Sequence, residues 1–186
     1  MYSPEMERLL QQMEAYSREH DGVYAIPREE GVFLNMLVRL KRARRIVELG
    51  TSSGYSTLWL AAAAAEHGGV VETVEFDPQK VALASENIRR SGLEKTIRMH
   101  HADAAEFLGA LEGEVDFVFM DTEKEDYLRH FRLAFPKLAR GGLVAADNAV
   151  DLADNMRDFL DYVKRLEGAQ SVTVGIGNGL ELTCKL

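Results

Sequence analysis

RIVELGTSSGYSTLWL, residues 45–60, joins three local signals in one stretch. Ile46, Val47 and Leu49 predict a short buried strand, Gly50 to Gly54 a small-residue turn, and Ser56 to Leu60 the opening of a helix that runs into Ala61–Ala65. A strand, a glycine-bearing turn and a helix start leave backbone N–H groups without partners at the positive end of a helix dipole, which suits an anionic group of a ligand. The turn is therefore a cofactor-binding candidate, through Gly50, Thr51, Ser52, Gly54 and Ser56. The alternative is an ordinary strand–turn–helix connection that holds nothing.

The identity of the cofactor follows from what departs from the dinucleotide pattern. The spacing is G-x-x-x-G rather than G-x-G-x-x-G, and Glu48, two residues before the first glycine, would repel a pyrophosphate. S-adenosylmethionine suits the acid better. Its ammonium and sulfonium are cationic, its carboxylate fits the helix start and the Ser56 hydroxyl, and its ribose diol needs an acceptor. VVETVEFD, residues 70–77, predicts the next strand and carries that acceptor, Glu75, at its C-terminal end.

Outward from there the chain alternates strands with helices, the order that produces a parallel sheet with right-handed crossovers. Asp77-Pro78 opens a helix that stops at Ser91-Gly92, and Thr96–His100 predicts the next strand. Asp103 opens a helix through Phe107, Leu108 and Leu111. The strand Glu114–Met120 ends at Asp121, a helix Glu125–Leu138 closes at Arg140-Gly141-Gly142, and the strand Leu143–Ala146 ends at Asp147-Asn148. Leu152, Met156, Phe159, Leu160 and Val163 mark the last helix, and Ser171–Ile176 with Leu180–Leu186 predict a hairpin around Gly177-Asn178-Gly179. Upstream, Ser3-Pro4 caps a helix whose Met6, Leu9, Leu10 and Met13 share a face, and Pro27 precedes a second with Phe33, Met36, Leu37 and Leu40 in the same pattern.

Asp121, Asp147 and Asn148 all fall at C-terminal strand ends, where an open α/β sheet places its ligand crevice. Two carboxylates and an amide oxygen form a hard donor set for Mg²⁺, and also for Mn²⁺ or Ca²⁺. An Asx turn at Asp147-Asn148 and a helix cap at Asp121 are the plainer alternative.

VELGTSSGYST, VEFD, HADAAEFL, MDTEKEDY and GGLVAADN, in this order, resemble class I S-adenosylmethionine-dependent methyltransferases. Within that class the chain resembles the metal-dependent O-methyltransferases related to catechol and caffeoyl-CoA methyltransferases, and most of all their short bacterial members. The resemblance implies an α/β, Rossmann-like, doubly wound and mostly parallel seven-stranded sheet with a C-terminal antiparallel hairpin. It implies an enzyme that methylates a hydroxyl of a small aromatic acceptor with a divalent cation. Ile26 would touch the methionine end of the cofactor, Asp103 the adenine amino group beside Ala104, and Phe76 the same region next to Glu75. Asp103 can serve as N-cap too, since one carboxylate accepts more than one hydrogen bond. Lys124 matches the general base; its plainer reading is a solvated lysine in the charged run 123–126. Asp121 would serve catalysis, cofactor and metal together.

Composition sets outer bounds. At 186 residues the chain suits one domain, with 1–44 as N-terminal helices and 45–186 as the cofactor-binding core. A net charge of −8 argues against a nucleic-acid partner, and no stretch approaches the length of a membrane span. The basic run Arg39–Arg45 predicts a solvated helix end, and the single Cys184 cannot form an internal disulfide. A cytoplasmic homodimer is expected, from the apolar N-terminal helix faces and from the resemblance. Two departures leave the acceptor undecided: the short segment after Asn148, and Val172-Thr173-Val174 where mammalian catechol methyltransferase carries a glutamate. Rival readings are a metal-independent methyltransferase, an S-adenosylmethionine-binding module of low activity, and a nicotinamide-binding domain, which Glu48 opposes.

Overall fold

Strands Arg45–Leu49 (β1) and Val115–Met120 (β4) carry buried apolar side chains on both faces, so they require cover above and below. They form the centre of a seven-stranded sheet in a computed structural model that describes residues 3–186. The other strands are Val70–Glu75 (β2), Ile97–His101 (β3), Leu138–Ala146 (β5), Ala169–Val174 (β6) and Leu180–Lys185 (β7), in the order β3-β2-β1-β4-β5-β7-β6. The first five are parallel; β7 runs antiparallel between β5 and β6. Order reverses between β1 and β4, the position where open sheets of this kind leave a crevice.

The two-residue period of each strand sorts its side chains between two cores. Ile46, Phe117 and Phe119 face helices Pro4–Glu19 (α1), Arg28–Lys41 (α2), Tyr55–Ala65 (α3) and Pro78–Ser91 (α4). Val47, Leu49, Val118 and Met120 face Ala104–Ala110 (α5), Tyr127–Ala134 (α6) and Arg157–Val163 (α7). The predicted face of α1 is the buried one: Met6, Leu9, Leu10 and Met13 are all covered, each burial stabilising by about 1.5–3 kcal/mol. Ser3 accepts the Met6 N–H at 3.2 Å as its cap.

Several predicted boundaries differ. On α2 the buried positions are Glu30, Gly31, Leu34, Asn35 and Val38, whereas Met36 and Leu40 are exposed. Close packing on α3 decides this phase: a Cβ at Gly31 would collide with the Trp59 indole, and the Asn35 amide donates to the Trp59 carbonyl at 2.7 Å. The helix expected from Glu125 to Leu138 is only Tyr127–Ala134, flanked by 3₁₀ turns, because Pro136 removes an N–H and breaks the ladder. Arg140-Gly141-Gly142 is not a terminator but part of β5, where the register with β4 slips and Gly141 adopts φ +70°. The last helix starts at Arg157 rather than near Leu152, since the N–H groups of Ala149, Val150 and Asp151 donate to the hairpin turn instead. Within the basic run, Arg39 pairs with Glu66 and Arg45 with Glu72. Among the described residues, no helix is long and apolar enough to cross a membrane.

Candidate active site

Each parallel strand passes its next residue over the edge of its neighbour and fastens it there. Gly50 N donates to Val74 O, Asp121 N to Leu49 O, Asp147 N to Met120 O and Ala102 N to Glu75 O, at 2.8–3.0 Å. Four loops are thereby set in a row along the C-terminal edge, above a cavity of about 690 Å³. Ile26, Gly50, Ser52, Glu75 and Phe76 line one part of it, together with Asp103 and Ala104. Asp121, Lys124, Asp147 and Asn148 line the same cavity. Gly50 has to be glycine: its φ is +93°, and a Cβ there would overlap the Asp121 carbonyl.

Thr51, Gly54, Ser56 and Glu48 do not line the cavity. Glu48 is fully buried below the turn, beside Ser56, where the Thr57 and Thr73 hydroxyls donate to its carboxyl and Thr73 in turn meets Thr51 at 2.6 Å. Burial pushes the Glu48 carboxyl up to about 7, against the pull of those hydroxyls. The acid is a polar pillar under the loop, and Ser56 faces that pillar. Gly54, at φ +88°, packs on Ala84.

Glu75 is held rigid by three backbone donors: Ser52 N on Oε2 at 2.9 Å, and Phe76 N and Asp77 N on Oε1 at 3.0 Å. Asp103 caps α5 through Oδ1 alone, from Ala105 N and Glu106 N, which leaves Oδ2 for another donor. Lys124 Nζ donates to Asp121 Oδ1 at 2.8 Å, to Thr122 O at 2.9 Å and to the Tyr127 hydroxyl at 3.0 Å. Asp147 is 1% exposed and accepts from Asn148 N, a residue at φ +63°. Burial and the charge of Asp121 push the Asp147 carboxyl up to about 6.

A divalent cation fits this end of the cavity by donor chemistry. Asp121, Asp147 and Asn148 offer hard oxygens, and a buried carboxylate beside another anion gains most from a positive neighbour. Among the described residues, no three His, Cys, Asp or Glu side chains form such a set.

Other residues on the wall were not expected at the site from sequence: Tyr24, Lys80, Thr122, His130, Leu152, Asn155 and Asn178. His130 carried a findable signal, a polar residue on the buried stripe of α6. It is 4% exposed, meets the Thr122 hydroxyl through Nδ1 at 3.0 Å, and burial lowers its pKa. Glu30, which touches Asp147 from behind, gave no such signal.

A family model described as O-methyltransferase matches residues 2–179. The chain is 37% identical over 125 residues to a catechol O-methyltransferase of Niastella koreensis, covering 65% of this chain and 56% of the relative. It is 31% identical over 157 residues to a caffeoyl-CoA O-methyltransferase of Populus kitakamiensis, covering 80% and 66%. The match thus spans little more than half the length of the first relative. The solved O-methyltransferase from Bacillus cereus, in complex with SAH, shares the fold with a TM-score of 0.84 at 23% identity, covering 100% of this chain and 92% of that one. With its strand order, its cavity at the switch point and a family match along nearly its whole length, the chain belongs to the O-methyltransferase family.

Proposed function

We propose that the protein transfers the methyl group of S-adenosylmethionine to a hydroxyl of a small aromatic acceptor, with a divalent cation at Asp121, Asp147 and Asn148. The observation that carries this reading is the single cavity that has Glu75 and Asp103 at one end and Asp121, Lys124 and Asp147 at the other. The SAH in the Bacillus cereus structure and the names of the catechol and caffeoyl-CoA relatives support it. The ribose diol goes to Glu75, the adenine amino group to Asp103 Oδ2 beside Ala104 and Phe76, and the methionine end to Ile26, Gly50, Ser52 and Asp121. Glu48 and Ser56 act only through the loop they support.

The reaction is an in-line displacement. The acceptor oxygen forms a bond to the methyl carbon, the carbon–sulfur bond breaks, its electron pair returns to sulfur, and the hydroxyl proton passes to Lys124 Nζ, which takes it only as the neutral amine, after giving a proton of its own to solvent. A cation bound there would stabilise negative charge on the acceptor oxygen. Acids outnumber bases on the cavity wall, where Glu123, Glu125 and Asp126 stand beside Lys124, so a neutral or cationic acceptor is favoured over one bearing phosphates. A second reading, methyl transfer without metal, is favoured by the Lys124 ammonium already resting on Asp121.

The test is methylation of a catechol and of a hydroxycinnamoyl-CoA thioester in parallel, followed by mass spectrometry. Methylated catechol is the expected product, and no methylated hydroxyl on either acceptor would overturn the reading. In the same preparation, Glu75→Ala should weaken S-adenosylmethionine binding by about 1–3 kcal/mol in calorimetry, and an unchanged dissociation constant would remove the ribose from Glu75.

We also propose a cytoplasmic homodimer. Val32, Met36 and Leu40 recur every four residues on the outer face of α2 and are 40%, 50% and 79% exposed, an apolar stripe that a second copy can cover. Light scattering at micromolar concentration should return twice the chain mass; a monomer mass refutes it.

A further inference from the structure

Glu30 lies in the first turn of α2, a position that ordinarily offers a solvated acid to the helix dipole. Its side chain is instead completely buried, behind the cavity wall. Oε2 accepts the backbone N–H of Asn178 at 3.1 Å, in the turn between β6 and β7. Oε1 is buried with no hydrogen-bond partner, and the carboxyl lies against that of Asp147 within hydrogen-bonding reach.

The same turn is stitched to the segment that follows Asp147. Ala149 N donates to Gly179 O at 2.8 Å, and Val150 N and Asp151 N donate to Asn178 O at 3.2 and 3.1 Å. Gly177 leaves no space between turn and acid, because a Cβ there would overlap the Glu30 carboxyl. Three segments distant in sequence therefore close a ring: the start of α2, the end of β5 and the hairpin turn. Asn178, Asp147 and Asn148 are parts of that ring that reach the cavity.

We infer that Glu30 is a positioning residue, whose carboxyl locks the Ile176–Gly179 turn, and through it the segment that follows Asp147, into one arrangement and thereby shapes the cation and acceptor end of the cavity. A buried acceptor that holds a turn in this way fixes its geometry, and the turn loosens when the acceptor is removed. Its consequence for metal binding rests on the proposed cation at Asp147; the tie itself does not. Glutamine can reproduce the tie, since its amide oxygen accepts from Asn178. Alanine cannot.

The experiment compares wild type, Glu30→Gln and Glu30→Ala by amide hydrogen exchange, by Mn²⁺ affinity from electron paramagnetic resonance, and by S-adenosylmethionine affinity. Glu30→Ala should speed exchange at Ala149, Val150, Asp151 and Asn178 by about tenfold or more, with β1 and β4 unaffected, and should weaken Mn²⁺ binding by about tenfold. Glu30→Gln should stay near wild type in both, and the cofactor affinity of both variants should hold within about twofold. If the alanine variant does not fold, Gly177→Ala, which pushes the turn off Glu30, should give the same local loss. Unchanged exchange in the alanine variant, or a glutamine variant as impaired as alanine, overturns the proposal. A wild type that binds no Mn²⁺ overturns the cation reading instead, and the exchange data still decide for or against Glu30.

Discussion

Asp147→Ala should lower turnover on a catechol by at least about 10²-fold while S-adenosylmethionine still binds. Asp147 is the most enclosed of the three oxygen residues at this end of the cavity, and it sits among charges of its own sign. Losing it leaves Asn148, an uncharged ligand, and Asp121, one of whose oxygens already receives Lys124. A dication would then be held mainly by water. The cofactor is cationic at its reacting sulfur, so the cation gains nothing there and acts on the acceptor oxygen, in a site sheltered from water. Wild type in excess chelator should behave like the mutant, with methylation lost, cofactor affinity retained in calorimetry, and activity restored by Mg²⁺ or Mn²⁺. Full-rate methylation in chelator, with metal content measured as nil, would sink the metal mechanism and promote the metal-independent reading.

Lys124→Met should cost about 10²–10⁴-fold in kcat with the cofactor dissociation constant nearly unchanged. The lysine stem is largely covered, at 13% exposure, and methionine preserves much of its length and packing. What disappears is the nitrogen, and with it the acceptor for the hydroxyl proton. Nζ now meets a carboxylate, a carbonyl and a phenol, all three from the segment Asp121–Tyr127. Its position is thus fixed by local chain geometry and needs no ligand to assemble it. Lys124→Arg should fail to rescue, since guanidinium stays protonated at any usable pH. An unaltered turnover number in the methionine variant would leave Lys124 as no more than a clamp on Asp121.

How much of this was legible in the chain depends on the range of the forces involved. Residues 45–60 announce a strand, a turn and a helix through apolar periodicity and two glycines, and β/α alternation then leaves little choice of sheet. Residues that end parallel strands inherit their placement from that topology, so Glu75, Asp121, Asp147 and Asn148 could be expected on one edge before any coordinates, and they line one cavity. The C-terminal hairpin was legible in the same way, from Gly177-Asn178-Gly179 between two strand-like runs. Where residues compete for burial, the sequence was silent. Helix α2 carries apolar side chains on two faces, and only the approach of Gly31 to Trp59 decides which face is covered. Ser56 and Glu48 looked like ligand contacts because their type and spacing suit a cofactor, but tertiary packing turned Ser56 inward onto a buried carboxyl. Glu30 is the extreme case. In sequence it is one acid of the pair Glu29-Glu30 at a helix start; its burial, its bond to Asn178 and its contact with Asp147 exist only once segments nearly 150 residues apart have met. Local pattern determined the elements, their order and the edge on which the polar residues gather, because those follow from short-range periodicity and chain connectivity. Which carboxyls face the cavity and which support it from behind was decided by the tertiary structure, because desolvation depends on what covers a residue and not on its neighbours in the chain.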